Sequence, residues 1–181
     1  MRVLMMISDG MEDVESLGTR ALLKRAGVTV DMGTFGVSGS IKTAFGLTIL
    51  SDLSFETIQI EAYDGLIIPG GGYVAEIIDD DPGIAALAQD FFSAGKMVAA
   101  ICAAPRFLGR AGLLDNRQYT AYPGSEIDIQ NGHSRPDLKA VTDGTIITAR
   151  GAGAIYEFSY QIIKYLMGEK SSQALLESIV F

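Results

Sequence analysis

The sequence predicts an α/β domain in which a mostly parallel sheet is covered by helices on both faces. Short, almost wholly apolar runs alternate with amphipathic stretches along most of the chain, a pattern typical of buried parallel strands separated by helices. Glycine is frequent, with 21 of 181 residues, which suits a fold with many tight turns. Since no repeat, linker or low-complexity segment interrupts the pattern, we expect one domain over residues 1–181.

The first half of the chain predicts a strand, a helix, a second strand, a hairpin or two short strands, and a buried strand. In order, these elements are Val3–Ile7, a helical stretch that reaches Arg25 and is stopped by Gly27, Val28–Thr34, Ser38–Leu50 and Gly65–Ile68. The last strand runs into Pro69-Gly70-Gly71-Gly72. Glycines and proline directly after an apolar run indicate that the strand ends in a tight turn.

The second half predicts a helix, a strand and a helix, then three strands and two helices. Asp81 is the expected N-cap of the first of these helices and Pro82 its first residue. The elements are the helix to Ala94, Met97–Ile101, Pro105–Ala111, Arg117–Ala121, Leu138–Thr142, Thr145–Thr148, Ile155–Met167 and Ser171–Val180. Asp143-Gly144 joins two of the strands as a hairpin.

Composition excludes several classes of function. Lys and Arg number 14 against 22 Asp and Glu, so the net charge is −8, and an acidic surface repels phosphate. We therefore expect neither nucleic acid nor a membrane as partner. One cysteine and one histidine exclude an intramolecular disulfide and a zinc site of His and Cys ligands. Without a signal peptide or an apolar stretch of about 20 residues, a cytoplasmic location is expected.

Cys102 is the first candidate for chemistry. It lies between a strand that ends at Ile101 and a helix that begins near Pro105, and its neighbours are small, as a nucleophile elbow requires. The following amides and the helix N-terminus are expected to lower the pKa of its thiol by at least about two units from about 8.5. The alternative is that Cys102 is simply a small buried residue.

Glu15 is the second candidate. At 100° per residue it falls inside the apolar arc of residues 14–26, between Leu22 and Ala26. Burial there would favour the neutral carboxyl, which can donate a hydrogen bond. The alternative is that Glu15, like Glu12 and Asp13, only complements a helix N-terminus.

The glycines after Pro69 are the third candidate, because consecutive amides can form an anion nest or part of an oxyanion hole. The alternative is a tight turn, and the match to a dinucleotide fingerprint is weak. We expect Asp79-Asp80-Asp81 to be a solvated turn with an N-cap, and the lone His133 to lie in a surface loop without a catalytic role.

Together these loops resemble the DJ-1/ThiJ/PfpI superfamily, and its DJ-1/ThiJ clade in particular, over nearly the whole chain. The similar segments are Gly10-Met11-Glu12-Asp13-Val14-Glu15, Ile68-Pro69-Gly70-Gly71, Ala100-Ile101-Cys102-Ala103-Ala104-Pro105, Asn131-Gly132-His133, and Arg150-Gly151-Ala152-Gly153 through Glu157-Phe158. The resemblance implies a flavodoxin-like three-layer α/β/α sandwich, usually a homodimer. It also implies that Cys102 is the reactive cysteine with Glu15 as its protonated partner, and that the amides of Gly71 and Ala103 form an oxyanion pocket, with Gly70 beside it.

Two positions depart from the pattern of these relatives. Many members have His-Pro in the strand after the elbow, where this chain has Tyr122-Pro123, and many clade members have Ser-Arg where this chain has Ala44-Phe45. Tyr122 is therefore a possible neighbour of the site. Loss of the histidine removes the proton shuttle that a cysteine hydrolase uses, which disfavours peptidase activity.

The preferred functional hypothesis is a cofactor-free enzyme of the glyoxalase or deglycase type, acting on a small-molecule aldehyde. The first alternative is a redox-responsive protective or chaperone-like protein in which an oxidant converts Cys102 to a sulfinate. A cysteine amidohydrolase or peptidase is the least favoured hypothesis. The partners expected are thus a small aldehyde or oxidant and a second copy of the chain; the apolar residues Met5, Met6, Met11 and Leu17 give weak support for the homodimer.

Overall fold

The computed structural model describes residues 1–35, 39–81 and 83–181, and it confirms the predicted α/β fold. Strands that carry apolar runs begin and end within one or two residues of their predicted bounds. In chain order the strands within the described residues are Arg2–Met6 (β1), Thr29–Thr34 (β2), Ser40–Lys42 (β3), Thr48–Leu50 (β4), Leu53–Ser54 (β5), Gly65–Ile68 (β6), Met97–Ile101 (β7), Gln118–Tyr119 (β8), His133–Ser134 (β9), Ala140–Asp143 (β10) and Ile146–Ala149 (β11).

The helices surround this sheet and differ widely in length. They are Thr19–Arg25 (α1), Tyr73–Ile77 (α2), Ile84–Ser93 (α3), Pro105–Arg110 (α4), Ile155–Met167 (α5) and Glu169–Ser178 (α6). A wide, π-helical turn at Val14–Gly18 leads into α1. Helix α5 has the bounds that the sequence predicts, because its buried positions recur every three to four residues.

The central sheet has the strand order β10-β11-β7-β6-β1-β2-β5. Its pairs are parallel except β10 with β11, the predicted hairpin at one edge. Every residue of β6, β7 and β11 is buried, which agrees with a sheet covered on both faces. Since β1, β6, β7 and β11 run in the same direction, their carboxyl ends meet at one edge, and the three candidate loops follow these ends.

Several local predictions are confirmed. Strands β3 and β4 form an antiparallel hairpin, as expected for residues up to Leu50. The Asp81 carboxylate accepts the amides of Gly83, Ile84 and Ala85 at the start of α3, so Asp81 supplies the capping side chain, although the N-cap position itself is Gly83. The predicted places of Ser38 in the hairpin and of Pro82 as the first helical residue lie outside the described residues.

Other local predictions need correction. Only Gln118–Tyr119 of the predicted strand 117–121 is a strand, and it pairs with β9 in a separate two-stranded sheet. The reason is that the next amide, on Thr120, donates to the side-chain oxygen of Thr148 at 2.9 Å instead of to a strand carbonyl. Helix α2, which follows the glycines directly, was not predicted. It is anchored by buried Tyr73, whose hydroxyl donates to the carbonyl of Pro69 at 2.8 Å.

The methionines offered as support for a homodimer do not lie on the surface. Met5, Met6 and Met11 are buried in the core of the single chain, and Leu17 is half-buried. For Met5 and Met6, strand burial explains this, because both faces of β1 are covered. The homodimer itself stays a prediction. No helix among the described residues is long and apolar enough to cross a membrane.

Candidate active site

Cys102 occupies a sharp turn directly after β7. Its φ is +64°, a left-handed conformation that costs an ordinary residue about 1–2 kcal/mol. Two hydrogen bonds hold the backbone there: the Cys102 amide donates to the carbonyl of Ala149 at 2.9 Å, and the amide of Tyr122 donates to the Cys102 carbonyl at 2.8 Å. This turn places the half-buried thiol just beyond the carboxyl end of β7, as predicted from the small residues around it.

Glu15 is buried, with 1% of its surface exposed, as its position on the apolar arc predicts. It lies in the wide turn before α1, and its carboxylate oxygen Oε2 accepts the amide of Gly70 at 3.1 Å. The carboxylate also accepts the amide of Ala152 and makes a hydrogen bond with the side chain of Cys102. Two residues 87 positions apart in the chain therefore form one buried pair.

The two acids before Glu15 stabilise its loop. Glu12 accepts the amide of Glu15 at 2.6 Å, which agrees with the expected role at a helix N-terminus. Asp13 does something different: its carboxylate accepts the hydroxyl of Thr43 at 2.7 Å and the amide of Phe45 at 3.1 Å. Asp13 thus ties the β3–β4 hairpin to the loop that carries Glu15.

Two glycines border the pair, and at Gly70 the packing leaves no room for a side chain. A Cβ on Gly70 would lie 2.5 Å from Cβ of Cys102 and 2.5 Å from Oε2 of Glu15, so any side chain there would separate the two groups. A Cβ on Gly151 would lie 3.8 Å from Sγ of Cys102 and 3.6 Å from Oε1 of Glu15. Gly151 was not predicted as a site residue, although it belongs to one of the segments that carry the resemblance.

The predicted oxyanion groups differ in how directly they face the sulfur. The amide of Ala103 donates to the side chain of Cys102. Gly71 has a φ of +131° and packs against the loop at residues 10–12, where a Cβ would lie 2.5 Å from the Gly10 carbonyl oxygen. Ala103 can therefore stabilise negative charge on sulfur, and the role of Gly71 in an oxyanion pocket stays a prediction.

The other candidates fall as follows. Tyr122 borders the site: its ring carbon Cδ2 lies 3.7 Å from the position of a Cβ on Gly151, and the side chain is 56% exposed. His133 is exposed on β9. Asp79 forms an ion pair with Arg110 at the surface, and the Asp81 side chain caps α3. The acidic segment therefore has a structural role. The described part of the chain contains no group of three or more His, Cys, Asp or Glu placed to hold a metal ion.

Burial and neighbouring charge shift the pKa values of both Cys102 and Glu15. Burial is the main cause that raises the pKa of Glu15 to about 7, and the negative charge of Glu12 adds to it. Burial and then the charge of Glu15 raise the pKa of the Cys102 thiol to about 12, which the Ala103 amide offsets only in part. The expectation of a lowered thiol pKa is therefore wrong for the thiol beside an ionised Glu15, because desolvation outweighs the favourable dipoles.

The first ionisation consequently belongs to the pair and not to either residue. Once one proton is lost, the pair carries a single negative charge, and the second proton is held strongly. Sulfur becomes a thiolate when the remaining proton lies on Glu15. We therefore expect the rate of Cys102 alkylation by iodoacetamide to rise with pH with a midpoint near about 7, below the value of about 8.5 for a free thiol.

The measurement is the pH dependence of the second-order alkylation rate, followed by mass spectrometry. In Glu15→Gln the thiol loses its proton acceptor but stays buried, so the midpoint should move above about 8.5. A wild-type midpoint at or above that value, unchanged in Glu15→Gln, would show that the two groups do not share a proton.

Comparisons with known proteins show the family and the fold. The model of the DJ-1/PfpI family matches residues 1–165. Protein dj-1beta of Drosophila melanogaster is 29% identical over 178 residues, which are 98% of this chain and 95% of the relative. A protein named a deglycase in Pyrococcus abyssi is 35% identical over 167 residues, 92% of this chain and 99% of the relative. The crystal structure of Drosophila melanogaster DJ-1beta superposes with a TM-score of 0.91 at 28% identity and covers 99% of this chain and 97% of that one.

Proposed function

Because the chain belongs to the DJ-1/PfpI family, we propose that it is a cofactor-free, cysteine-dependent enzyme of the glyoxalase or deglycase type that acts on small reactive aldehydes such as methylglyoxal. The observation that carries the proposal is the hydrogen-bonded pair of Cys102 and buried Glu15 beside an open cleft. Several relatives are named deglycases, which supports the same class of substrate.

The first step is addition. The Cys102 sulfur, freed of its proton by Glu15, attacks the aldehyde carbon of methylglyoxal and forms a carbon–sulfur bond. The π electrons of the carbonyl move to its oxygen, which takes the proton from the neutral Glu15 carboxyl. The product is a hemithioacetal whose developing oxyanion the amide of Ala103, and by proposal that of Gly71, would stabilise.

The second step is an internal transfer that needs no external oxidant. Glu15, again a carboxylate, removes the proton from the former aldehyde carbon and an enediol forms. The hydroxyl proton of the first carbon passes to the neighbouring oxygen, and Glu15 returns its proton to the neighbouring carbon. The ketone is thereby reduced to an alcohol, while the first carbon is oxidised to a thioester. Water then cleaves the carbon–sulfur bond, so that lactate leaves and Cys102 regains its thiol.

A methylglyoxal-to-lactate assay on the purified protein tests the proposal. Wild type should form lactate slowly, and Cys102→Ala and Cys102→Ser should form none above the rate of buffer, because the proposed covalent step needs the sulfur. Full activity in Cys102→Ser would mean that the proposed covalent step is wrong. Absence of lactate in the wild type would favour the redox hypothesis.

The redox alternative rests on a specific observation: a half-buried thiol lies beside an acid that can donate a hydrogen bond to its oxidised form. Thiolate attack on hydrogen peroxide adds one oxygen to sulfur and releases water, and a second peroxide gives the sulfinate. The chain has no second cysteine to form a disulfide instead.

We expect mild peroxide to add about two oxygens to Cys102 and then to stop. Neutral Glu15 can hold a sulfinate oxygen by a short charge-assisted hydrogen bond, so Glu15→Leu should be oxidised more slowly and should not stop at this stage. Intact-mass spectrometry over time compares the two proteins. If both take up oxygen at equal rates and to the same extent, Glu15 does not govern the oxidation.

The hydrolase hypothesis stays the least favoured. Tyr122 stands where many relatives have a histidine, and its phenol is a poor base near neutral pH. Cleavage of an amide or peptide by the wild type, lost in Cys102→Ala, would revive that hypothesis.

A further inference from the structure

An open cleft of about 520 Å³ borders the candidate active site at Tyr122 and Gly151. We call it the basic cleft. It is lined by Tyr122, Pro123, Lys139, Arg150 and residues 151–154.

Gly151 links the basic cleft to the Cys102–Glu15 pair, because it lines the cleft and also lies beside both side chains of the pair. The empty position of a Cβ on Gly151 is within 4 Å of Sγ of Cys102, of the Glu15 carboxylate and of the Tyr122 ring. The next residue, Ala152, donates its amide to Glu15. A molecule bound in the cleft can therefore place a reacting carbon at Sγ and the rest of its atoms along residues 150–154.

The charges that line the basic cleft are of one sign. Its ionic side chains are those of Lys139 and Arg150, and none of its lining residues is acidic, although the protein carries a net charge of −8. In a protein with this excess of acids, two cations and no acidic residue in the lining make the basic cleft attractive to anions, although the Glu15 carboxylate lies beyond the lining, next to the sulfur.

The two cations are available to different extents. Lys139 pairs with Glu157 at 2.6 Å, and its side chain is 62% exposed. Arg150 donates from Nη1 to the carbonyl of Pro136 at 2.6 Å, and within the described residues no carboxylate lies within 4.0 Å of its guanidinium. The remaining N–H groups of Arg150 are therefore the main donors available to a bound anion.

We infer that the basic cleft recognises an anionic group, a carboxylate or a phosphate, on the substrate whose aldehyde reacts with Cys102, with Arg150 as the principal specificity residue and Lys139 as a second cation. This inference rests on the proposed function and narrows its substrate class. Methylglyoxal, which has no charge, leaves the basic cleft unfilled, whereas an aldehyde that carries an anion can occupy both the cleft and the site. Planar, bidentate donation by arginine suits both carboxylate and phosphate.

Two alkylating reagents that differ in charge test the inference without turnover. Iodoacetate and iodoacetamide attack the same sulfur, but only iodoacetate carries a carboxylate. We expect Arg150→Gln to lower the rate of Cys102 alkylation by iodoacetate about tenfold and to leave the rate with iodoacetamide within about twofold. Arg150→Lys should keep most of the preference for iodoacetate over iodoacetamide. Lys139→Gln should lose a smaller part of this preference than Arg150→Gln does. High salt should weaken the preference in the wild type.

Lys170→Gln is the matched control, because it removes one positive charge from an exposed position on α6. It should change neither rate. Protection of Cys102 from iodoacetamide by inorganic phosphate or by acetate then distinguishes the two anions: the one that protects at lower concentration, in wild type but not in Arg150→Gln, is the preferred group.

Three results would overturn the inference. If Arg150→Gln lowers the rates of Cys102 alkylation by both reagents equally, Arg150 only supports the loop through its hydrogen bond to Pro136. If neither Arg150→Gln nor Lys139→Gln changes the ratio of the two rates, the basic cleft does not bind anions. If Lys170→Gln lowers the ratio as much as Arg150→Gln, only the overall charge matters. None of these results depends on lactate formation, so failure of the inference and failure of the proposed function are separate outcomes.

Discussion

Glu15→Gln is expected to lower kcat for methylglyoxal by about 10²–10⁴-fold, the contribution that a positioned general acid–base group makes. In the proposed reaction Glu15 moves a proton three times: from the thiol, to the first oxyanion, and between the two carbons. Glutamine has the same size and can still accept the amide of Gly70 through its side-chain oxygen, but it cannot exchange protons. The loss should therefore appear in kcat, with a smaller change in KM.

The same substitution should make the protein more stable at alkaline pH. The pKa of Glu15 is about 7 in the folded chain, against an ordinary value of 4.5. The folded state thus binds the proton more tightly than the unfolded state, and wild-type stability falls as pH rises from about 4.5 to about 7. The difference of about 2.5 units corresponds to roughly 3 kcal/mol, which Glu15→Gln should recover above pH 7 and not below pH 4.

Urea unfolding at several pH values, beside the lactate assay, checks both parts. Glu177→Gln on the exposed face of α6 is the control and should change neither turnover nor the pH dependence of stability. A variant Glu15→Gln that is stabilised at alkaline pH and yet keeps wild-type kcat would show that Glu15 is buried as described but moves no proton in the reaction.

Tyr122→His is expected to raise kcat, by as much as about 10²-fold, the lower end of what acid–base assistance contributes. The Tyr122 ring borders the space beside Gly151 that Sγ also borders, so an imidazole at this position lies close to the hemithioacetal. A phenol has a pKa of about 10 and an imidazole about 6.5, so only the imidazole is a competent base near neutral pH.

Tyr122→Phe is the control for this gain. It removes the hydroxyl without adding a base and should leave kcat within a fewfold of the wild type. If Tyr122→His and Tyr122→Phe have the same kcat, proton transfer by a side chain at position 122 does not limit turnover. If the wild type has no activity and Tyr122→His restores none, the redox hypothesis replaces the enzyme hypothesis.

Most of the fold could be predicted from the sequence because its strands are buried on both faces. Such strands are near-continuous apolar runs, so Met97–Ile101 and Gly65–Ile68 are recognisable without any neighbour. Prediction was poorest where a contact distant in sequence decides the local structure. The strand predicted at 117–121 shortens because a threonine side chain on β11 takes the next amide, and the glycine-rich segment before Tyr73 gave no signal for α2.

For the candidate site, too, some features could be predicted from local sequence and others depend on tertiary contacts. The sequence by itself determined that Cys102 lies in a turn between a strand and a helix and that Glu15 lies on the buried side of its turn, since both follow from local periodicity. That the two side chains meet was implied by the family resemblance and not by either segment. Only the tertiary structure decided their contact, the room that Gly70 leaves for them, and the direction in which their pKa values shift. Desolvation and charge–charge distances are properties of packed loops, and no pattern along one segment contains them.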